Sequence, residues 1–334
     1  MKPFKFTHFL ILSVSAGAFV IIGFTSGGAG SRAAQNKADK RSARETTQAS
    51  GEIVRLSAPA KTAPGATSAS ANLAAFDLAA DRNAELRTSL AWTFGGKTQH
   101  GWSLYAPLIA GLISANVEGA GNEFAMRLSL WQTANGVEPT GVLESDTWSQ
   151  MISSFQSRRI KGRPYPSPGE LVTIPISDCY DPTRAEELRK AERETFSAYK
   201  RLVAAAAADS SLGLKVGGEG ELASDEKFLK IISAFRSREH QEQLRKQFPN
   251  SGRAGLAVNS PHFTGRALDL YVGGEPVTTK DENRALQTKS AVYRWLVMNA
   301  ARFGFQPYFY EPWHWEYVGV RADAETRGRV DAAK

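Results

Sequence analysis

Hydrophobic positions are spaced differently in successive stretches of this chain, and the spacing divides it. Residues 9–24 are apolar apart from Ser13, Ser15, Gly17 and Gly23. From residue 27 to about 80 no period survives, and Ala, Ser, Gly and Thr dominate. Leu108, Ile109, Leu112 and Ile113 then share one helical face, and Phe124, Met126, Leu128 and Trp131 belong to a second helix. Gly136 and Gly141 bracket a turn, after which Thr147-Trp148 leads into Met151, Ile152 and Phe155, with Asp146 as the expected N-cap. Pro164, Pro166 and Pro168 mark the next boundary. A short apolar strand is predicted over 171–175 and a long helix over 184–209, its apolar side formed by Phe196, Tyr199, Leu202 and Val203.

Beyond residue 227 strands and helices alternate. A buried strand is predicted over 228–235, and a helix over 238–248 that Ser237 can cap. From Ala267, period two sets Leu268, Leu270 and Val272 on one face and Asp269 with Tyr271 on the other. From Trp313, the apolar face holds Trp313, Trp315 and Tyr317, and the polar face His314 and Glu316. Pro312 keeps Glu311 at the start or edge of that strand. The expected organisation is a leader at 1–30, a disordered tether at 31–80, a small helical unit at 81–160 and a larger mixed unit at 170–322.

Composition changes this picture in three ways. Lys2 and Lys5, the apolar centre and the small-residue exit describe a secretory signal or, uncleaved, a membrane anchor. Either exports the rest, so the expected location is the periplasm or cell envelope, with membrane contact only through that segment. The net charge of +7 resolves on counting: seven basic residues against two acidic ones put +5 in residues 1–50 and leave +2 for the remainder. A nucleic-acid partner is therefore not expected. The single cysteine, Cys179, excludes an intrachain disulfide framework and a Cys-rich zinc module.

Of the five histidines, His8 lies in the leader, and His100 and His240 lack a metal-like context. His262 and His314 remain. Gly265 lets the chain turn so that His262 and Asp269 can reach one point. Two His and one carboxylate, with a fourth position open, form a known catalytic zinc pattern. A nearby Glu that is not a ligand can take a proton from water.

The two segments also carry a resemblance. Ser260, His262, Gly265, Ala267 and Asp269 complete a Ser-x-His-x-x-Gly-x-Ala-x-Asp motif, and Glu311-Pro312-Trp313-His314 follows. Over about 227–320 the chain resembles the VanY-type zinc D-alanyl-D-alanine carboxypeptidases, whose upstream arginine motif is matched by Ser233-Ala234-Phe235-Arg236-Ser237. The resemblance implies an α+β, hedgehog-like catalytic domain in which His262, Asp269 and His314 bind one Zn2+. It makes Glu311 the general base and Arg236 the stabiliser of the oxyanion, and it assigns Ser260 and Gln241 to substrate binding. Glu316 is a candidate partner for His314. Upstream, Leu128-x-x-Trp131-Gln132, Gly136-Val137, Thr140-Gly141-x-Leu143 and Thr147-Trp148 resemble the second half of a small all-α peptidoglycan-binding domain. The expected function is an exported zinc peptidase removing the terminal D-alanine from peptidoglycan stem peptides. The alternatives are L,D-carboxypeptidase or endopeptidase action on the same polymer, or a non-catalytic wall-binding protein with a structural metal.

Overall fold

The computed structural model describes residues 66–115, 121–247 and 257–320. The leader and the tether up to residue 65 lie outside them, and among the described residues no helix is long and apolar enough to cross a membrane. The remainder of the expected tether is helical: α1 runs Ala66–Ser89. Alanine, which blurs the hydrophobic period, is also the strongest helix former. Ala79, Asn83, Leu86 and Leu90 are buried at helical spacing. Asn83 belongs to that stripe because its amide donates to Gly141 O at 2.8 Å and accepts from Leu143 N at 2.7 Å.

The N-terminal unit is not all helical. A hairpin of β1 (Ala91–Phe94) and β2 (Lys97–His100) follows α1. Its two-residue loop, Gly95-Gly96, has positive φ at both positions, the conformation that matches hairpin twist. Three helices follow: α2 (Ala106–Ile113), α3 (Asn122–Ala134) and α4 (Ser145–Ser157). The N-cap of α4 is Glu144, and Asp146 is already inside the first turn. Gln132, fully buried, ties α3 to the turn before α4 by accepting from Gly141 N at 2.8 Å and donating to Val142 O and Thr147 Oγ1 at 3.0 Å. Gly141 (φ +70) leaves no room for a side chain, since a Cβ there would lie 2.8 Å from Ala125 O. These motif residues therefore hold a turn together.

In the second unit, β3 (Leu171–Thr173) pairs antiparallel with β4 (Lys190–Glu192), and α5 spans Arg193–Ala207. The helix predicted over 184–209 thus loses its first part to a strand. Glu192 accounts for the change: its carboxylate accepts from Glu194 N and Thr195 N and caps α5. The central sheet contains β5 (Ile231–Ser233), β6 (Ala267–Leu270), β7 (Phe305–Pro307) and β8 (His314–Tyr317) in the order β5-β6-β8-β7, all antiparallel. The strand expected over 228–235 is short because Leu229 turns at φ 65. Helices α6 (Arg238–Gln247), α7 (Asp281–Lys289) and α8 (Ala291–Asn299) complete an α+β fold.

One hydrophobic core runs through both units, from Leu86 to Tyr317. Its densest part is aromatic. Phe309 sits 4.7 Å from Phe94, 5.6 Å from Tyr105 and 6.4 Å from Trp92, Trp148 and Phe155, centroid to centroid. Trp148 is therefore core, wedged against the segment that leads into β8.

Candidate metal centre and active site

The sheet register builds the site. On the two central strands Asp269 lies directly opposite His314 and Ala267 opposite Glu316, while Ser233 of β5 faces Asp269 from the other side. All four positions of β6 and of β8 are buried, so the polar face predicted from alternation points into protein. His262 arrives from a different direction. Ser260 caps the turn Pro261–Thr264 by accepting from His262 N at 3.3 Å, and Gly265 (φ +68) reverses the chain into β6. A side chain at Gly265 would meet Glu192 N at 2.9 Å.

His262 Nδ1 lies 2.7 Å from Ala234 O. A carbonyl only accepts, so Nδ1 carries the proton and Nε2 offers its lone pair, 3.3 Å from Asp269 Oδ2. His314 Nε2 faces Glu316 Oε1 at 3.2 Å, which turns Nδ1 toward Asp269 Oδ1 at 3.0 Å. One ligand atom each from His262, Asp269 and His314 lies within 4.8 Å of the others. Both imidazoles have their outward nitrogen held by a protein oxygen and their inward nitrogen turned toward Asp269, the arrangement that metal-binding histidines use. The donor set therefore fits a divalent cation of the zinc type.

Charges around the centre are strongly perturbed. Burial keeps His262 below the usual imidazole value. Burial would also lower His314, but its hydrogen bonds to Asp269 and Glu316 push it up to about 9 in the metal-free protein. Asp269 is held far below the usual carboxylate range by both histidines, against the effect of burial. Glu316 stays at about 2 for the same reason, with His314 and Arg159 outweighing burial.

Glu311 occupies the turn before β8, where its amide donates to Tyr308 O and its carbonyl accepts from His314 N. Glu311 is half-buried as a residue, and burial of its carboxyl pushes its pKa up to about 7, with Asp269 adding to the rise and His314, Arg159 and Arg236 opposing it. Arg236 is tied to the same cluster, since its amide donates to His262 O at 3.1 Å. Its guanidinium donates to Gln241 Oε1 at 2.8 Å and to Ser233 Oγ at 3.3 Å. Gln241, whose other amide end donates to Ala257 O at 2.8 Å, orients Arg236. Ser260 is 4% exposed and likewise positions His262.

Two arginines escaped the sequence reading. Arg159, just beyond α4, binds Glu316 through Nε at 2.9 Å and through Nη2. Arg184 is half-buried, and of its guanidinium only Nε is hydrogen-bonded among the described residues, to Leu188 O at 3.1 Å. Its charge is felt at Asp269, Arg236 and His240. Neither had a local signal, because both act across sequence distances that no spacing encodes.

A buried His/Asp/His donor set beside a separate carboxyl of near-neutral pKa is the layout of metal-assisted hydrolases. The sequence comparison agrees with that layout: residues 220–320 match the family model of VanY, D-alanyl-D-alanine carboxypeptidase, and this part of the chain is similar to that family. No curated protein matches the chain. Among solved structures it is similar to one titled "Structure of the LdcB LD-carboxypeptidase reveals the molecular basis of peptidoglycan recognition", at 23% identity and a TM-score of 0.34, over 50% of this chain and 75% of that one.

Proposed function

We propose that the protein is a zinc-dependent D-alanyl-D-alanine carboxypeptidase acting on peptidoglycan stem peptides in the cell envelope. The observation that supports it most is the His262–Asp269–His314 donor set beside Glu311, a carboxyl poised at about 7. When bound there, a divalent cation polarises the scissile carbonyl and makes water more acidic. Glu311 takes the proton of the attacking water and passes it to the leaving amine, for which a pKa near neutrality serves both steps. The guanidinium of Arg236, fixed by Gln241 and Ser233, stabilises the negative charge on the tetrahedral oxygen. Digestion of purified pentapeptide and tetrapeptide muropeptides, with and without chelator, tests the reading by mass spectrometry. Loss of one D-alanine from the pentapeptide alone supports it. Loss from the tetrapeptide alone, or cleavage of cross-links, redirects it to the L,D or endopeptidase alternative, and no product with metal-loaded protein leaves the wall-binding one.

A carboxypeptidase must also recognise the free carboxylate of its substrate. Arg184, with two terminal nitrogens free of hydrogen bonds to described residues, is suited to it. Arg184→Ala is expected to raise KM by about 10- to 100-fold, the worth of a charged hydrogen bond, with kcat nearly unchanged. Steady-state kinetics on a pentapeptide check this.

The acidic limb of kcat/KM follows from Glu311. The base works only when deprotonated, so activity rises with pH as its proton leaves. Burial raises its pKa from 4.5 to about 7 in the metal-free protein, and a cation beside it draws it back down. The midpoint of the limb is expected between those two values, and a pH–rate profile locates it.

A further inference from the structure

We infer that the helical unit is a fixed positioning element of the metal centre, with Arg159 as a positioning residue that acts through Glu316 on His314. Glu316 is wholly buried, and an uncompensated carboxylate there would be strongly unfavourable. Its compensation comes from the end of α4. Arg159 donates to Oε1, and Ile160 N donates to Oε2 at 2.9 Å. The same Oε1 takes the Nε2–H of His314. Residues 159–160 thus set the position of the carboxylate, and the carboxylate sets the imidazole.

The grip is reinforced beside it. The Arg159 guanidinium lies 3.9 Å above the Tyr308 ring, which packs edge-on to His314 at 5.9 Å. Next in sequence, Phe309 fills the aromatic pocket of Trp92, Phe94, Tyr105, Trp148 and Phe155. Tyr310 is held by Arg284, whose Nη1 also bonds Tyr105 Oη at 2.9 Å. Glu311 and His314 are therefore flanked on both sides, at 308–309 and at 316, by anchors that the helical unit supplies. This makes the unit a support of the metal centre, where the resemblance implied a peptidoglycan-binding domain.

The inference rests on the peptidase reading only in its kinetic arm. Its direct test is metal affinity, measured on the full chain by Zn2+ competition with a chromophoric chelator. Arg159→Ala is expected to weaken Zn2+ binding about 10- to 100-fold, the usual effect of losing a residue that orients a ligand histidine. Glu316→Gln should do the same, and the double variant should fall well short of the product of the two single effects. Arg159→Lys keeps a cation for Glu316 but loses the two-toothed contact and the ring stacking, so it serves if the alanine variant does not fold; it should weaken Zn2+ measurably. In the kinetic arm, kcat falls and KM holds. A Zn2+ affinity unchanged in Arg159→Lys, and in Arg159→Ala where that folds, overturns the inference whatever happens to Tm, because a purely structural ion pair would lower Tm alone. If no muropeptide is cleaved by wild type, the function is wrong and the affinity measurements still decide the positioning role.

Discussion

Glu311→Gln is expected to lower kcat by about 10²- to 10⁴-fold, the usual contribution of a general base, while Zn2+ content and fold stay intact. The substitution is close to isosteric and leaves the three ligand positions untouched. Among the described residues near the centre, Asp269 faces both imidazoles and Glu316 faces His314, and the carboxyl the substitution removes is the one that no histidine engages by a hydrogen bond. Stability should move in the opposite direction from activity. The folded pKa of Glu311 lies above the unfolded value, so the fold favours the protonated form. Below pH 4.5 both states hold the proton, and between 4.5 and about 7 ionisation draws the equilibrium toward the unfolded chain. Glutamine mimics the protonated carboxyl at every pH. The metal-free variant should therefore melt at or above wild type at pH 8 and equal it at low pH, as calorimetry can show. Unaltered turnover in Glu311→Gln would remove it from the mechanism.

The parts of this site that were legible in the sequence are those that one short segment encodes. His262 and Asp269 are separated by a turn that needs Gly265, and period two puts His314 and Glu316 on one face. Both patterns survive as observed register, with Asp269 opposite His314. What alternation could not say is that this face would be buried: both strands lie in the middle of a sheet, and Glu316 is met there by Arg159 and Ile160 just beyond α4. Arg159 lies 157 positions from Glu316, and no local pattern connects the two. The β1–β2 hairpin was missed for a different reason. Trp92 and Phe94 alternate up to Gly95-Gly96, a good hairpin signal, which an expectation of a purely helical unit over 81–160 does not use. Glu192 and Asn83 show the same limit in another form. Each is a polar residue whose role, as a cap or a buried tie, depends on backbone groups supplied from elsewhere in the chain or exposed by a local break.

Removing the cation should silence the enzyme without dismantling it. Chelation is expected to bring hydrolysis to background and Zn2+ to restore it, because β6 and β8 are joined by backbone bonds that need no metal. Asp269→Asn should produce the same loss permanently. The amide keeps the shape of the side chain but removes the charge that lies 3.3 Å from His262 Nε2 and 3.0 Å from His314 Nδ1. Its NH2 would then donate to one of the two lone pairs that the cation needs. Binding and melting separate this from a general defect. Zn2+ at a hundred times its Kd adds about 2.7 kcal/mol to the stability of a protein that binds it only when folded, so the wild-type melting temperature should climb with Zn2+ concentration. The Asp269→Asn variant should melt at one temperature whatever the Zn2+ level. A variant that still gained stability from Zn2+ would show that the cation sits elsewhere, and the assignment of His262, Asp269 and His314 would fall with it.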